Sequence, residues 1–199
     1  MSEPKHTPKS KVPKKVFEKD KSRHEKPQKK WQWASWRQWV TAAIAMAAVL
    51  LLDQISKALI SANLNLNEWV TLIEPLLKVT RAHNYQGIFS LSFGPQWLYL
   101  ILPLVAVGFV IYLLLQPQGK FITVLLGLIL GGGFGNFIDR VRLGYVVDWI
   151  SMGVRNWRWA TYNIADSALV VSVILLLIRE LFFVKPKKKG KPDLEAEKP

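Results

Sequence analysis

Asp148 and Asp166 lie 18 residues apart, and each interrupts or borders an apolar stretch. Asp148 is the lone carboxylate of Val146-Val147-Asp148-Trp149-Ile150, and Asp166 follows Asn163-Ile164-Ala165 at the head of a long apolar run. A connection of that length between antiparallel helices can return one aspartate beside the other. Two carboxyls held close and partly desolvated do not both ionise readily, so one keeps its proton. A carboxylate that activates water, next to a carboxylic acid that protonates a carbonyl oxygen or a leaving amine, is the chemistry of an aspartyl peptidase. Spacing alone makes that proximity an inference.

Other polar residues gather in similar surroundings. Asp53 and Lys57 stand at i and i+4 inside an apolar run, and Asn136, Asp139 and Arg140 stand at i, i+3 and i+4 of another, hence on one face. Arg140 is expected to pair with a carboxylate. Each group also has a plainer reading: Asp53 and Lys57 as a simple helix pair, and Asn163 to Asp166 as a helix N-cap with an acid at its third position. Those readings do not explain why all of them fall at one depth. The chain has no cysteine, and His6 and His24 lie in a polar leading segment. With His83 the remaining histidine, a metal site would have to rely on carboxylates alone, so neither a metal nor another cofactor is expected.

The elements that must position these groups follow from apolar run length. About 20 mostly apolar residues cross a bilayer core of about 30 Å. Four runs qualify, from Trp39 to Ile60, Trp97 to Leu115, Phe121 to Ile138 and Ile164 to Val184. At a rise of about 1.5 Å per residue, Asp53 sits about 20 Å into the first and Asn136 about 22 Å into the third. Asp166 lies in the first turn of the fourth, which runs the opposite way, so all three share the outer third while the other halves read as plain hydrocarbon. Segment 61 to 96 carries alternation such as Trp69-Val70-Thr71-Leu72-Ile73, which suggests short strands.

Half of the 199 residues are hydrophobic, yet the net charge is +13. Residues 1–37 hold 12 Lys/Arg against 4 Asp/Glu, residues 38–178 hold 8 against 6, and residues 179–199 hold 7 against 4. The basicity therefore belongs to the ends, which argues against a nucleic-acid-binding domain and for cationic flanks at an anionic lipid surface. Both termini are then expected in the cytoplasm, with a polar-site end facing outward. Three regions are expected: a disordered basic extension over 1–37, a four-helix membrane domain over 38–184, and a mixed-charge cytoplasmic tail over 185–199. The third run carries Gly127, Gly131 and Gly135 at every fourth position, a stripe suited to close helix packing. A proton relay in a transporter, built on Asp53, Asp148 and Asp166, and a non-catalytic membrane adaptor are the competing uses of such a chain.

Taken together and in order, the motifs resemble those of the lipoprotein signal peptidases (signal peptidase II) of bacterial inner membranes. The resemblance covers about residues 40 to 180. Asp53-Gln54-Ile55-Ser56-Lys57 is similar to the family's Asp-x-x-Ser/Thr-Lys motif. The run from Gly131 through Asn136, Asp139 and Arg140, followed by Gly144-Tyr145-Val146-Val147-Asp148-Trp149, is similar to its longest motif, and Tyr162-Asn163-Ile164-Ala165-Asp166 to its Phe-Asn-x-Ala-Asp motif. Asn84-Tyr85-Gln86-Gly87-Ile88-Phe89-Ser90 departs from the usual pattern by placing Gln86 where glycine is common.

The resemblance implies a membrane all-α fold of four transmembrane helices with a small extracytoplasmic β-containing segment between helices 1 and 2. It implies Asp148 and Asp166 as catalytic dyad, with Asp53, Lys57, Asn84, Asn136, Asp139, Arg140 and Asn163 shaping or supporting the site. The activity implied is cleavage of diacylglyceryl-prolipoproteins just before the lipid-modified cysteine, by a monomer embedded among membrane lipids.

Overall fold

The computed structural model describes residues 32–86, 94–95, 97–154 and 157–183, which form four helices and a four-stranded antiparallel sheet. The expectations for the basic extension before residue 32, for Gly87 to Ser90 and for the tail after residue 183 lie outside the described residues. Helix α1 spans Trp36–Asn63, a hairpin of β1 (Trp69–Ile73) and β2 (Leu77–Asn84) follows, and α2 (Leu98–Leu114) and α3 (Lys120–Leu143) come next. Strands β3 (Val146–Val154) and β4 (Trp157–Arg158) then lead to α4 (Ile164–Phe183).

Local chemistry sets the helix limits. Ser35, in an extended conformation, caps α1 by accepting from the Gln38 amide at 3.3 Å. Helix α3 ends at Gly144, whose φ of 80° permits the left-handed turn in which its amide donates to the Arg140 carbonyl at 3.1 Å. This helix runs five residues past the expected Ile138 and carries Asp139 and Arg140 on regular turns. The triple glycine therefore lies inside the helix rather than at its end. Pro103 sits within the 17-residue α2 and removes one amide donor from its ladder.

α3 is the central element and packs against each of the other three helices. A Cβ added at Gly127 or Gly131 would fall 2.5 or 2.6 Å from the Ala42 or Met46 carbonyl oxygen of α1. At Gly132 it would fall 2.5 Å from the Ala165 carbonyl oxygen of α4. The stripe thus brings α1 against α3 at backbone contact, and Gly132 beside it does the same for α4.

The distribution of side chains is inverted relative to a protein packed in water. Leu51, Leu52, Ile55 and Leu59 of α1, Leu102, Val105 and Phe109 of α2, and Val171, Ile174 and Leu177 of α4 are exposed. Asp53, Lys57, Asn136, Asp139 and Asn163 are buried. Helices that turn leucines outward and charges inward are solvated by hydrocarbon. Both α1 and α3 are long and apolar enough to cross a membrane by length and composition. At the end of the bundle away from the buried charges, Ala42, Val110, Leu114, Leu126 and Leu130 form an apolar cluster.

That end is not plain hydrocarbon as expected. Gln38 is buried there, and its Nε2 donates to the carbonyls of Leu114 (3.1 Å) and Gln116 (2.9 Å) while its Oε1 accepts from the Gln118 amide (3.0 Å). The amide thereby satisfies carbonyls that α2 leaves open at its C-terminus, and it staples α1 to the turn between α2 and α3. Thr123, also buried, returns its hydroxyl to the Gly119 carbonyl at 3.1 Å.

The sheet runs β1-β2-β3-β4. β1 and β2 are the strands expected between the first two helices, and the sheet is completed by β3 and β4 from the connection between α3 and α4. The reason is hydrogen bonding across distance in sequence: β2 has one partner next to it in the chain and needs a second, and β3 supplies it. Val79 pairs with Ile150 and Ala82 with Asp148, so β2 carries one extra residue between these pairs, a bulge that re-aims the end of the strand.

Candidate active site

The bulge in β2 sets the first contact. Asn84 stands two residues beyond Ala82, the partner of Asp148, so the Asn84 and Asp148 side chains share one face as diagonal neighbours. Asn84 Nδ2 donates to Asp148 Oδ2 at 2.9 Å. On the far side of β3, Tyr162 forms an isolated bridge with Ile150, exchanging bonds of 2.8 and 3.1 Å, and the Trp149 amide joins the Tyr162 carbonyl at 3.0 Å. This pins the residue before Asn163 onto the strand that carries Asp148. The 18-residue separation between the aspartates is closed by those backbone bonds.

Asn163 joins the two carboxyls. Its Nδ2 donates to Asp148 Oδ1 at 2.8 Å, and its Oδ1 accepts from the Asp166 amide at 2.9 Å. In return the Asn163 amide donates to Asp166 Oδ2 at 3.3 Å, completing a reciprocal N-cap of α4. The cap and the candidate site therefore share the same atoms, and the plainer reading of Asn163 to Asp166 as a helix cap is present in the structure. Asn136, on α3, donates from Nδ2 to Asp166 Oδ1 at 2.7 Å, while its Oδ1 accepts from Asn163 Nδ2 and Lys57 Nζ, both at 3.1 Å.

Lys57 has all three ammonium hydrogens engaged. It pairs with Asp53 Oδ2 at 2.7 Å and Asp139 Oδ2 at 2.9 Å besides meeting Asn136. The i,i+4 pair expected on α1 is present, extended by a third partner from α3. The positive charge touches neither Asp148 nor Asp166 within ion-pair distance; Asn136 stands between it and Asp166.

Asp148 is 1 % exposed, and its neighbours are neutral amides. Burial pushes its pKa up to about 7, and the Asp166 charge pushes in the same direction. The hydrogen bonds from Asn84 and Asn163 and the charge of Lys57 pull the other way without reversing it. Both the protonated and the ionised form of Asp148 are thus accessible near neutral pH, which is what an acid and base pair requires. Asp166 is less deeply buried.

Arg140 does not pair with a carboxylate, contrary to expectation. Its nearest acidic neighbour on the helix, Asp139, faces α1 and is taken by Lys57, whereas Arg140 turns toward β2. There it donates to the Gln86 carbonyl at 3.0 Å and the Asn136 carbonyl at 3.4 Å. Gln86 is held through its backbone at both ends, since its amide also donates to Asn84 Oδ1 at 2.9 Å. Both contacts use backbone groups that any residue possesses, so the side chain in place of glycine leaves them intact. Arg140, Tyr85, Trp97, Tyr99, Leu100 and Gly144 line a cavity of about 220 Å³.

His83 lies beside this region but not in it. Its ring stacks on Tyr145 with centroids 3.8 Å apart, and burial, with Arg81, lowers its pKa. Among the described residues no three of His, Asp and Glu converge to hold a metal ion. Sequence reasoning missed Gln54, whose Nε2 reaches Asp53 Oδ2 (3.2 Å), the Gly135 carbonyl (3.2 Å) and Asp139 Oδ1 (3.0 Å). An amide within an apolar run, next to an aspartate, was its signal.

Residues 45–182 match the family model described as signal peptidase (SPase) II. The chain is 41% identical over 144 residues to a lipoprotein signal peptidase of Geobacillus thermodenitrificans (strain NG80-2), covering 71% of this chain and 90% of the relative. It is 39% identical over 132 residues to one from Streptococcus agalactiae, covering 65% and 84%. A solved bacterial membrane enzyme, determined in meso at 2.3 Å resolution, superposes with a TM-score of 0.69 at 27% identity, over 77% of this chain and 94% of the other. By the family match and these relatives, the chain belongs to the signal peptidase II family.

Proposed function

We propose that this protein is an aspartic endopeptidase of the bacterial inner membrane that removes signal peptides from diacylglyceryl-prolipoproteins just before the lipid-modified cysteine. The observation that carries the reading is the pair Asp148 and Asp166 joined through one amide, Asn163, with no other charge among the described residues bonded directly to either. One carboxylate takes a proton from water as its oxygen attacks the scissile carbonyl carbon. The other, protonated, hydrogen-bonds the carbonyl oxygen, which gains negative charge as the carbon becomes tetrahedral. Collapse of that intermediate breaks the C–N bond, and the proton held by the dyad passes to the leaving amine, the new amino terminus of the cysteine. The products are a free signal peptide carboxylate and the lipidated cysteine amine.

The roles follow from contacts. Asn84 and Asn163 orient Asp148, Asn136 orients Asp166, and Lys57 with Asp53 and Asp139 braces these from behind. Arg140 and the cavity beside it are where the substrate backbone is held, in extended form, next to β2. All four helices span the membrane, both termini lie in the cytoplasm, and the dyad sits near the outer face, where a substrate anchored by lipid tails and a signal helix slides in between apolar helix surfaces. The basic ends contact anionic lipid headgroups, at about 1 kcal/mol per basic residue near the surface. The enzyme acts as a monomer.

The test is cleavage of a purified diacylglyceryl-modified precursor in lipid by the wild-type protein and by Asp148→Asn and Asp166→Asn. Each variant should lose activity by on the order of 10²- to 10⁴-fold, as for removal of an acid–base group. Cleavage by both at the wild-type rate would exclude the dyad.

A further inference from the structure

The two carboxylates that pair with Lys57 have a second feature in common. Asp53 Oδ1 accepts from the Ala165 amide at 3.0 Å, and Asp139 Oδ2 accepts from the Val147 amide at 3.2 Å. Ala165 and Val147 are the residues immediately before Asp166 and Asp148. Each brace therefore grips the backbone one residue upstream of one dyad aspartate, from α1 in one case and α3 in the other.

Two like charges on separate helices repel, and one ammonium must hold both. Gln54 is the further group that touches both, donating from Nε2 to Asp53 Oδ2 and Asp139 Oδ1. The same nitrogen reaches the Gly135 carbonyl on α3. Space for the arrangement is provided by Gly135 itself, where an added Cβ would fall 2.6 Å from Asp53 Oδ2. We infer that Gln54 is a positioning residue for the peptidase reaction: by tying Asp53 to Asp139 it sets the separation of Ala165 and Val147, and through them the distance between Asp166 and Asp148. This rests on the dyad proposed above.

The separation of two interacting carboxyls is readable in kinetics. Closer groups split their two apparent pKa values further, so the width of the bell-shaped pH profile reports their coupling. Without Gln54, repulsion between Asp53 and Asp139 lets the arms spread, and the limbs of the profile converge.

The experiment compares wild type, Gln54→Met, Gln54→Glu and Asp148→Asn on a diacylglyceryl-modified precursor in lipid, with the pH profile of kcat, the KM and thermal unfolding measured for each. Gln54→Met keeps length and volume without the donor. It should lower kcat at least about 10-fold, leave KM within about 2-fold and narrow the pH profile. Gln54→Glu, which adds a third carboxylate of the same shape, should lower kcat further. A wild-type kcat, a loss confined to KM, or a lower rate with an unchanged profile width, as a reduced folded fraction would give, overturns the inference. Should Gln54→Met fail to fold, Gln54→Glu with a wild-type profile width overturns it equally. Activity retained by Asp148→Asn would instead defeat the dyad, so the two failures are distinguishable.

Discussion

The two ends of the helix bundle hold the same helices together by different means. At the Gln38 end, α1, α2 and α3 meet through an apolar cluster and one uncharged amide that satisfies neighbouring carbonyls. At the other end, α1, α3 and α4 meet through Lys57, Asp53, Asp139, Asn136 and Asn163, a continuous set of charged and amide groups reaching into the sheet. The first arrangement fastens an end of the bundle, and its amide bonds the end of α2 and the α2–α3 turn. The second fastens the helices and orients two carboxyls at once, so its atoms cannot be exchanged for hydrocarbon without disturbing the proposed dyad. Glycine contacts along α3 serve both ends, bringing α1 to backbone distance at Gly127 and Gly131 and making room for a carboxylate at Gly135.

Substitutions can break or sharpen that contrast. The largest effect is expected for Asp166→Asn, with cleavage reduced on the order of 10²- to 10⁴-fold. Thermal unfolding in lipid should register a smaller loss of about 1–3 kcal/mol, because the amide keeps one of the two acceptors that meet Asn136 and the Asn163 amide. Next is Lys57→Met, which leaves two buried carboxylates facing each other. It should destabilise the protein by about 3–5 kcal/mol, as removal of one partner from a buried ion pair does, and thermal unfolding in lipid would measure it.

A pH series separates the ends further. The Asp148 pKa, about 7 in the folded protein, lies above its ordinary value of 3.8, so folding favours the protonated form. Its contribution to stability is complete below about pH 4 and is lost as pH rises through about 7. Thermal unfolding between pH 5 and 8 should therefore show a decline that Asp148→Asn flattens and Gln38→Ala leaves alone. The smallest effect is that of Gln38→Ala itself, which strands the Leu114 and Gln116 carbonyls at a cost of about 1–3 kcal/mol. Cleavage per folded molecule should be unchanged.

The helices and the individual intramembrane acids were legible because their signals are local. A long apolar run announces its own length, and a carboxylate inside one stands out against its neighbours. Asn163 with Asp166, and Asp53 with Lys57, lie within one helical turn, where spacing alone fixes geometry. The strands were legible only where the hairpin is local, at β1 and β2. The pairing of β2 with β3 joins residues more than 60 positions apart, with a bulge between the pairs, and no window of sequence contains both partners. Arg140 and Gln54 were misjudged or missed for a related reason. A side chain's partner is decided by which helix occupies the space in front of it, and Lys57 had already taken Asp139.

Asn163 narrows what this position tolerates. As a helix cap alone it could be replaced by serine, threonine or aspartate at little cost. The bond to Asp148 requires a donor, and the bond from the Asp166 amide requires an acceptor, on one short planar group. Aspartate supplies the acceptor but lacks the donor and would set a third carboxyl between two others, and a hydroxyl is too short to reach both. Of the residues that start helices well, one side chain satisfies both demands, and the substitution freedom of a helix cap is lost here because the cap also bonds Asp148.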